Sequence, residues 1–134
     1  MDRRSSREQA FKFLFENTFG MNLPEETVEN AQLAREEKVS AFTKTLFDGV
    51  LSNLEKIDKV IDENLMGWKR ERISRTALAV LRLAVYEIMF EEDTPNKVAA
   101  NEAVELSKKY STKEESAYIN GILGTIITKT ESAN

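Results

Sequence analysis

The sequence has no cysteine and no histidine among its 134 residues. Their absence excludes disulfides, thiol nucleophiles, imidazole general bases and the usual zinc ligands together. It has only five glycines and two prolines, and no glycine-rich phosphate loop. Ser107 and Lys108 are neighbours on a predicted helix, so their side chains diverge by about 100° and do not form a catalytic pair. We therefore expect neither an enzyme nor a cofactor.

Two further kinds of segment are missing. The acidic run Glu91, Glu92, Asp93 lacks the ligand spacing of a calcium loop, so we interpret it as a solvated loop. The longest apolar stretch is interrupted by Arg82 and Glu87, which makes it too short and too charged to cross a bilayer. The first residues do not resemble a signal peptide. We expect one domain over residues 1–134 and a cytoplasmic location.

Positive charge is scarce overall but concentrated in two segments. The net charge is -4, yet residues 1–12 carry +2 and residues 68–82 carry +4, which leaves -10 for the rest. An acidic protein with local basic segments can still bind a polyanion on part of its surface. Any nucleic-acid interface is therefore expected to be local.

The scarcity of glycine and proline, with abundant alanine, leucine, glutamate and lysine, favours an all-α fold without strands. Apolar residues recur at helical spacing in seven segments. The first predicted helix begins at a Ser5/Glu8 capping box, the second runs from Leu23 to Ala34, and the third runs from Glu36 to Leu51. The fourth begins at a Ser52/Glu55 capping box, and the fifth, from Ile73 to Phe90, is expected at the centre of the fold. The sixth runs from Thr94 and Pro95 to Tyr110, and the seventh begins in STKEES before a frayed TESAN tail.

Two glycines fall inside the last predicted helix. Each of Gly121 and Gly124 is expected to cost about 1 kcal/mol relative to alanine, so something should compensate. The favoured explanation is that another helix backbone approaches closely there. The alternative is close access for a ligand or partner.

The basic clusters are the strongest candidates for a function. Arg3, Arg4 and Arg7 flank the start of the first helix, where exposed N–H groups and forked guanidinium groups would suit a phosphate. A merely solubilising tail is the alternative. The second cluster is either an ordinary solvated helix start or a binding surface, and it comprises Lys69, Arg70, Arg72 and Arg75.

Three blocks of the chain resemble the NusB family of bacterial transcription antitermination factors. They are WKRERISRTALAVLRLAVYEI, VAANEAVELSKKY and ESAYINGILG, in that order. The resemblance covers nearly the whole chain, and it implies a single NusB-like bundle of about seven helices with no catalytic role. A NusB-like domain also occurs fused to ribosomal RNA cytosine methyltransferases, but this chain ends where a catalytic domain would begin, so no methyl transfer is expected.

The resemblance also implies partners. Family members bind the single-stranded boxA element of leader transcripts, notably those of ribosomal RNA operons, together with the ribosomal protein NusE. The pair then joins NusA, NusG and RNA polymerase. The alternative is a helical protein-binding adaptor without specific RNA recognition, and a homodimer stays open.

Particular residues match the family's functional positions. The resemblance puts Arg3, Arg4 and Arg7 on RNA phosphates, stacks Tyr118 on an unpaired base, and adds Lys113 and Asn120 to the RNA-binding set. It assigns partner binding to Arg82, Tyr86 and Glu87 around the fourth and fifth helices, although Arg82 and Tyr86 could instead pack and pair within the domain. Ser111 departs from the family, which often has glycine there, so the geometry of that turn is an open question.

Overall fold

The computed structural model describes residues 1–18, 23–65, 67 and 69–133. Within these residues there are seven α-helices, one short 3-10 segment and no strand, which confirms the predicted all-α class. Trp68 of the WKRERISR block and Asn134 of the TESAN tail lie outside the described residues. The elements are α1 (Arg3–Thr18), α2 (Pro24–Leu33), α3 (Ala41–Ser52), α4 (Leu54–Asn64), η1 (Arg70–Arg72), α5 (Arg75–Phe90), α6 (Asn96–Tyr110) and α7 (Lys113–Ser132).

Helix α5 forms the centre of the fold, as its long apolar stripe predicts. It packs against α1, α3, α4, α6 and α7. Its buried side chains cover most of its circumference, because a helix enclosed by neighbours has no face left for water. Leu81 and Val85 are fully buried at its middle. Burial of this apolar surface is the main source of the stability of the bundle.

The start of α1 corrects one prediction. The helix begins at Arg3, and Asp2 caps it by accepting a hydrogen bond from the Ser5 backbone N–H at 2.7 Å. The capping box of Ser5 and Glu8 is therefore wrong. An aspartate caps as well as a serine, and its charge also complements the helix dipole. Glu8 is left free to bind another helix.

Two other helix starts were also mispredicted. Helix α3 begins at Ala41 rather than Glu36, because Glu36 has a left-handed φ of 55° that no helix interior accommodates. Ser40 caps α3 by accepting from the Thr43 N–H at 3.0 Å. Ser52 is the last residue of α3 and α4 begins at Leu54, so the predicted capping box with Glu55 is wrong as well.

The remaining boundaries are closer to the predictions. Ser74 caps α5, and Thr112 caps α7 within the predicted STKEES segment. Helix α6 begins at Asn96 with Pro95 as its N-cap, one residue later than expected. The prediction of a frayed TESAN tail is wrong for its first three residues, because α7 continues to Ser132.

The close approach predicted at the α7 glycines is wrong for Gly124. A Cβ atom added there would meet nothing within 4 Å, so no neighbouring helix requires this glycine. The close approach occurs at Gly49 of α3 instead, where a Cβ atom would overlap the ring of Tyr86 from α5. A glycine inside a helix indicates a close contact only when a neighbouring helix packs against it at that residue.

Candidate nucleic-acid interface

A groove on one side of the bundle brings together the N-terminus of α1, the middle of α6 and the first half of α7. Three of the residues predicted to bind RNA, Arg4, Lys113 and Asn120, lie in this groove. They come from opposite ends of the chain, which the packing of α1 and α7 on α6 makes adjacent. The full lining is Arg4, Asn101, Val104, Glu105, Lys108, Lys113, Ser116, Ala117 and Asn120.

Polar and aromatic contacts hold the three helices in place. Ser107 of α6 donates a buried hydrogen bond to Ser116 of α7 at 2.8 Å. Phe11 of α1 packs against Tyr110 of α6 with ring centroids 5.0 Å apart. Glu8 accepts hydrogen bonds from Lys109 at 2.6 Å and from Tyr110 at 3.0 Å.

These contacts change the titration of Glu8. The hydrogen bond from Lys109, followed by that from Tyr110, holds the pKa of the Glu8 carboxyl below its ordinary value, although partial burial opposes the shift. Glu8 therefore stays ionised at neutral pH. Its charge offsets that of Lys109 beside the groove.

The turn between α6 and α7 does not require the glycine that the family often has. Ser111 is extended, with φ of -136° and ψ of -167°. Any residue can adopt that conformation. The Ser111 hydroxyl donates to the Glu115 carboxylate, and Thr112 accepts from the Glu115 N–H at 3.1 Å. Two hydroxyl groups thus fix the start of α7 and the position of Lys113.

Arg4 is the only residue of the α1 arginines that lines this groove among the described residues. Its guanidinium forks onto Glu102 of α6, with Nε to Oε2 at 3.0 Å and Nη2 to Oε1 at 3.1 Å. The hydrogen bond to Glu102 and its charge raise the pKa of Arg4. Arg3 lies on another side of α1, where it donates to Thr94 at 3.4 Å and stacks 4.0 Å from the Phe42 ring centroid.

Arg7 occupies a position that the sequence interpretation did not anticipate. It is buried, and its Nε donates to Oε1 of Glu87 on α5 at 2.7 Å. The resemblance assigned Arg7 to RNA and Glu87 to a protein partner, but the two residues pair with each other inside the bundle. Residue 7 lies one turn after residue 3 on the face of α1 that packs on α3 and α5. Arg7 lines the adjoining pocket with Arg4, Glu8 and Lys109, but not the groove itself.

Tyr118 also lies away from the groove. It is half-buried and lines a separate depression with Arg72 and Ile73, beside Glu114 and Glu115. Residues 118 and 120 point about 160° apart around a helix, so one strand reaches both only by passing around α7. The structure thus brings Tyr118 next to the second basic cluster rather than the first.

The predicted partner-binding residues make contacts within the domain. Arg82 forks onto Asp58 of α4, with both hydrogen bonds at 2.9 Å. Tyr86 is buried over Gly49 and contacts Phe90, with ring centroids 5.6 Å apart. Burial raises the pKa of the Tyr86 hydroxyl, as do Glu91 and Glu87. The alternative that Arg82 and Tyr86 pack and pair internally matches this geometry.

The second basic cluster contains both a paired arginine and exposed cations. Arg70 binds Asp58 and Asp62 of α4, whereas Lys69 and Arg72 are exposed. Among the groove residues that were not predicted to bind RNA are Asn101 and Lys108. The signal that could have found them is helical spacing, because positions 101, 104 and 108 share one face of α6.

Two negative findings apply to residues 1–18, 23–65, 67 and 69–133. No group of three or more carboxylates is arranged to hold a metal ion there. No helix in the same part of the chain is long and apolar enough to cross a membrane.

Comparison with known proteins identifies similar chains. The NusB family model matches residues 4–128. The transcription antitermination protein NusB of Clostridium novyi (strain NT) is 45% identical over 131 residues, which cover 95% of this chain and 98% of that one. NusB of Clostridium botulinum (strain Hall) is 41% identical over 143 residues, covering 95% and 100%.

Solved structures share the fold. NusB of T. maritima superposes with a TM-score of 0.84 at 33% identity, over 96% of this chain and 92% of that one. A crystal structure of NusB and NusE in complex with double-stranded RNA gives 0.83 at 24% identity, over 95% and 96%. The two Clostridium relatives are transcription antitermination proteins. The chain belongs to the NusB family.

Proposed function

We propose that this chain is a transcription antitermination factor whose groove between α1, α6 and α7 holds boxA RNA of nascent transcripts. The observation that supports the proposal best is the convergence of Arg4 with Lys113 and Asn120 in one groove, because Arg4 lies at the opposite end of the chain from the two α7 residues. Lys108 lines the same groove and adds a further cation. Family membership supplies the transcriptional role.

The residue types suit RNA. Guanidinium and ammonium groups bind phosphates without regard to sequence, whereas an amide such as Asn120 can discriminate base edges. The small Ala117 lies between them in the groove and would let a strand approach α7 closely. The groove is therefore suited to hold the backbone and read few bases.

Tyr118 is a separate element of the proposal. A half-buried tyrosine can stack on an unpaired base, and Arg72 beside it could hold the adjoining phosphate. A strand that used both sites would pass around the first turn of α7, near Lys113. We place Arg3 and Arg7 outside the direct contacts, since Arg3 packs on Phe42 and Arg7 is buried.

NusE is the proposed protein partner. The α4 and α5 side is its proposed surface, where the internally paired Arg82 and the buried Tyr86 and Glu87 would shape the surface rather than contact NusE directly. NusA, NusG and RNA polymerase would join the larger complex in the cytoplasm. Homodimerisation is a further proposal.

The experiment is a titration of fluorescent boxA RNA and of a scrambled strand, with and without NusE, over a range of salt concentrations. We expect tighter binding of boxA than of the scrambled strand, and weaker binding as the salt concentration rises. Equal binding of both strands in the presence of NusE would favour a protein adaptor without specific RNA recognition.

Variants locate the surface. Arg4→Ala and Lys113→Ala should each weaken RNA binding and reduce the salt slope by about one. Asn120→Ala should reduce the preference for boxA more than it reduces binding of the scrambled strand. Lys44→Ala, which removes an exposed cation from α3, is the matched control and should leave RNA binding unchanged.

A further inference from the structure

Carboxylates partner three of the cations in and beside the groove. Arg4 is held by Glu102, Lys108 lies 3.4 Å from Glu105, and Lys109 lies 2.6 Å from Glu8. Each carboxylate lies on a helix that borders the groove. The positive surface that the sequence predicts is therefore largely neutralised within the folded chain.

The Arg4 pair has the geometry that a phosphate would need. Glu102 accepts from both Nε and Nη2 of Arg4 in a fork, at 3.0 Å and 3.1 Å. A phosphate uses the same two donors in the same bidentate arrangement. Glu102 and an RNA phosphate thus cannot both hold the full fork.

We propose that Glu102 competes with RNA phosphate for Arg4, so that the free chain holds its RNA groove in a self-neutralised state. This inference rests on the proposed function. RNA would bind by exchanging one carboxylate for one phosphate at Arg4, and no covalent step is involved. Glu102 then lowers the affinity for RNA, because it occupies the arginine that RNA would bind.

The exchange is physically feasible because the pair is exposed on the arginine side. The Arg4 side chain is 73% exposed, so breaking its surface ion pair costs little. Glu102 is 18% exposed and lies within α6, so it cannot withdraw far once a phosphate arrives. Its remaining charge would repel the phosphate at short range.

A different role for the same pair makes the opposite prediction. If Glu102 served to orient Arg4 for RNA, removing its charge would weaken binding. Glutamine separates the two roles, because Glu102→Gln keeps one acceptor oxygen for Arg4 but removes the negative charge. The conservative variant therefore tests charge competition rather than loss of packing.

The test measures the affinity of fluorescent boxA RNA for the wild-type chain and for Glu102→Gln at several salt concentrations. We expect Glu102→Gln to bind roughly three- to tenfold more tightly. We also expect this gain to shrink as the salt concentration rises, because salt screens the repulsion between Glu102 and the phosphate. Thermal unfolding should show that the variant is folded.

Two controls make the interpretation specific. Glu37→Gln removes the same charge from another exposed pair, Arg35–Glu37 beyond the end of α2, and should leave RNA affinity unchanged. In the Arg4→Ala background, Glu102→Gln should give no gain, because the competition needs Arg4.

Several results would overturn the inference while the proposed function survives. They are unchanged or weaker RNA binding by Glu102→Gln, an equal gain in Glu37→Gln, or a gain that persists without Arg4. A wild-type chain that binds boxA no better than the scrambled strand, with NusE present, would instead contradict the proposed function itself.

Discussion

Two arginines one turn apart on α1 form the same kind of ion pair in opposite surroundings. Arg7 and Glu87 have side chains that are 6% and 2% exposed, whereas those of Arg4 and Glu102 are 73% and 18% exposed. Both pairs join α1 to a helix far along the chain. The charged groups are the same, but Arg4 holds Glu102 with a fork of two hydrogen bonds whereas Arg7 donates one to Glu87, and the exposure to solvent differs most.

The difference determines what each pair can do. A buried pair has lost its hydration, so each charge depends on the other, and removing one leaves the second stranded. The second oxygen of Glu87, Oε2, is already buried without a hydrogen-bond partner among the described residues. An exposed pair exchanges partners easily because water replaces what is lost. Arg7 therefore suits structure, and Arg4 suits binding.

A third pair lies between these extremes. The side chains of Arg82 and Asp58, which join α5 to α4, are 16% and 12% exposed. Arg70 also binds Asp58, so this carboxylate has two cationic partners. Three pairs of graded burial thus test how strongly burial sets the contribution of an ion pair to stability.

The largest effect is expected at the buried pair. Arg7→Met should lower the free energy of unfolding by about 3 to 5 kcal/mol, because Glu87 is left charged or must take up a proton in the core. Urea denaturation at neutral pH measures the loss. The double variant Arg7→Met/Glu87→Leu should recover much of it, and a double variant as unstable as the single one would contradict this explanation.

An intermediate effect is expected at the partly buried pair. Arg82→Met should lower the free energy of unfolding by about 1 to 2 kcal/mol, since Asp58 keeps Arg70 and some access to water. The same urea experiment applies. In an Arg70→Met background the loss should grow, because Asp58 then has no cation. Strictly additive losses would show that the two arginines act independently.

The smallest effect is expected at the exposed pair. Arg4→Met should leave the urea midpoint of unfolding within error of the wild type, because water solvates Glu102 in its place. Lys56→Met serves as the control for removing an exposed cation elsewhere. A loss of stability comparable to that of Arg7→Met would contradict the contrast between the two pairs and would show that Arg4 has a structural role.

Much of the fold was predictable because helical periodicity is a local signal. The stripe of Val80, Leu81, Ala84 and Val85 predicted a central helix, and α5 is central. The helix starts were harder, because several residues near each start can cap. Both Asp2 and Ser5 could cap α1, and which of them does so depends on whether the residues between them are helical.

The candidate site was only partly predictable. The family resemblance named Arg4, Lys113 and Asn120, which the structure brings together. It also named Arg7 and Glu87, which the structure buries against each other. Adjacent arginines in sequence point to different sides of a helix, and the sequence does not say which side the core will cover.

By itself, the sequence determined the helical class, the order of the seven helices, the family and the two basic segments. These depend on residues within a few turns of one another. Only the tertiary structure decided which arginine is buried and which is exposed, because that depends on α5 and α6, 80 and 98 residues away from Arg7 and Arg4. Solvent exposure belongs to the assembled bundle, and in this chain it separates a core ion pair from a candidate RNA contact.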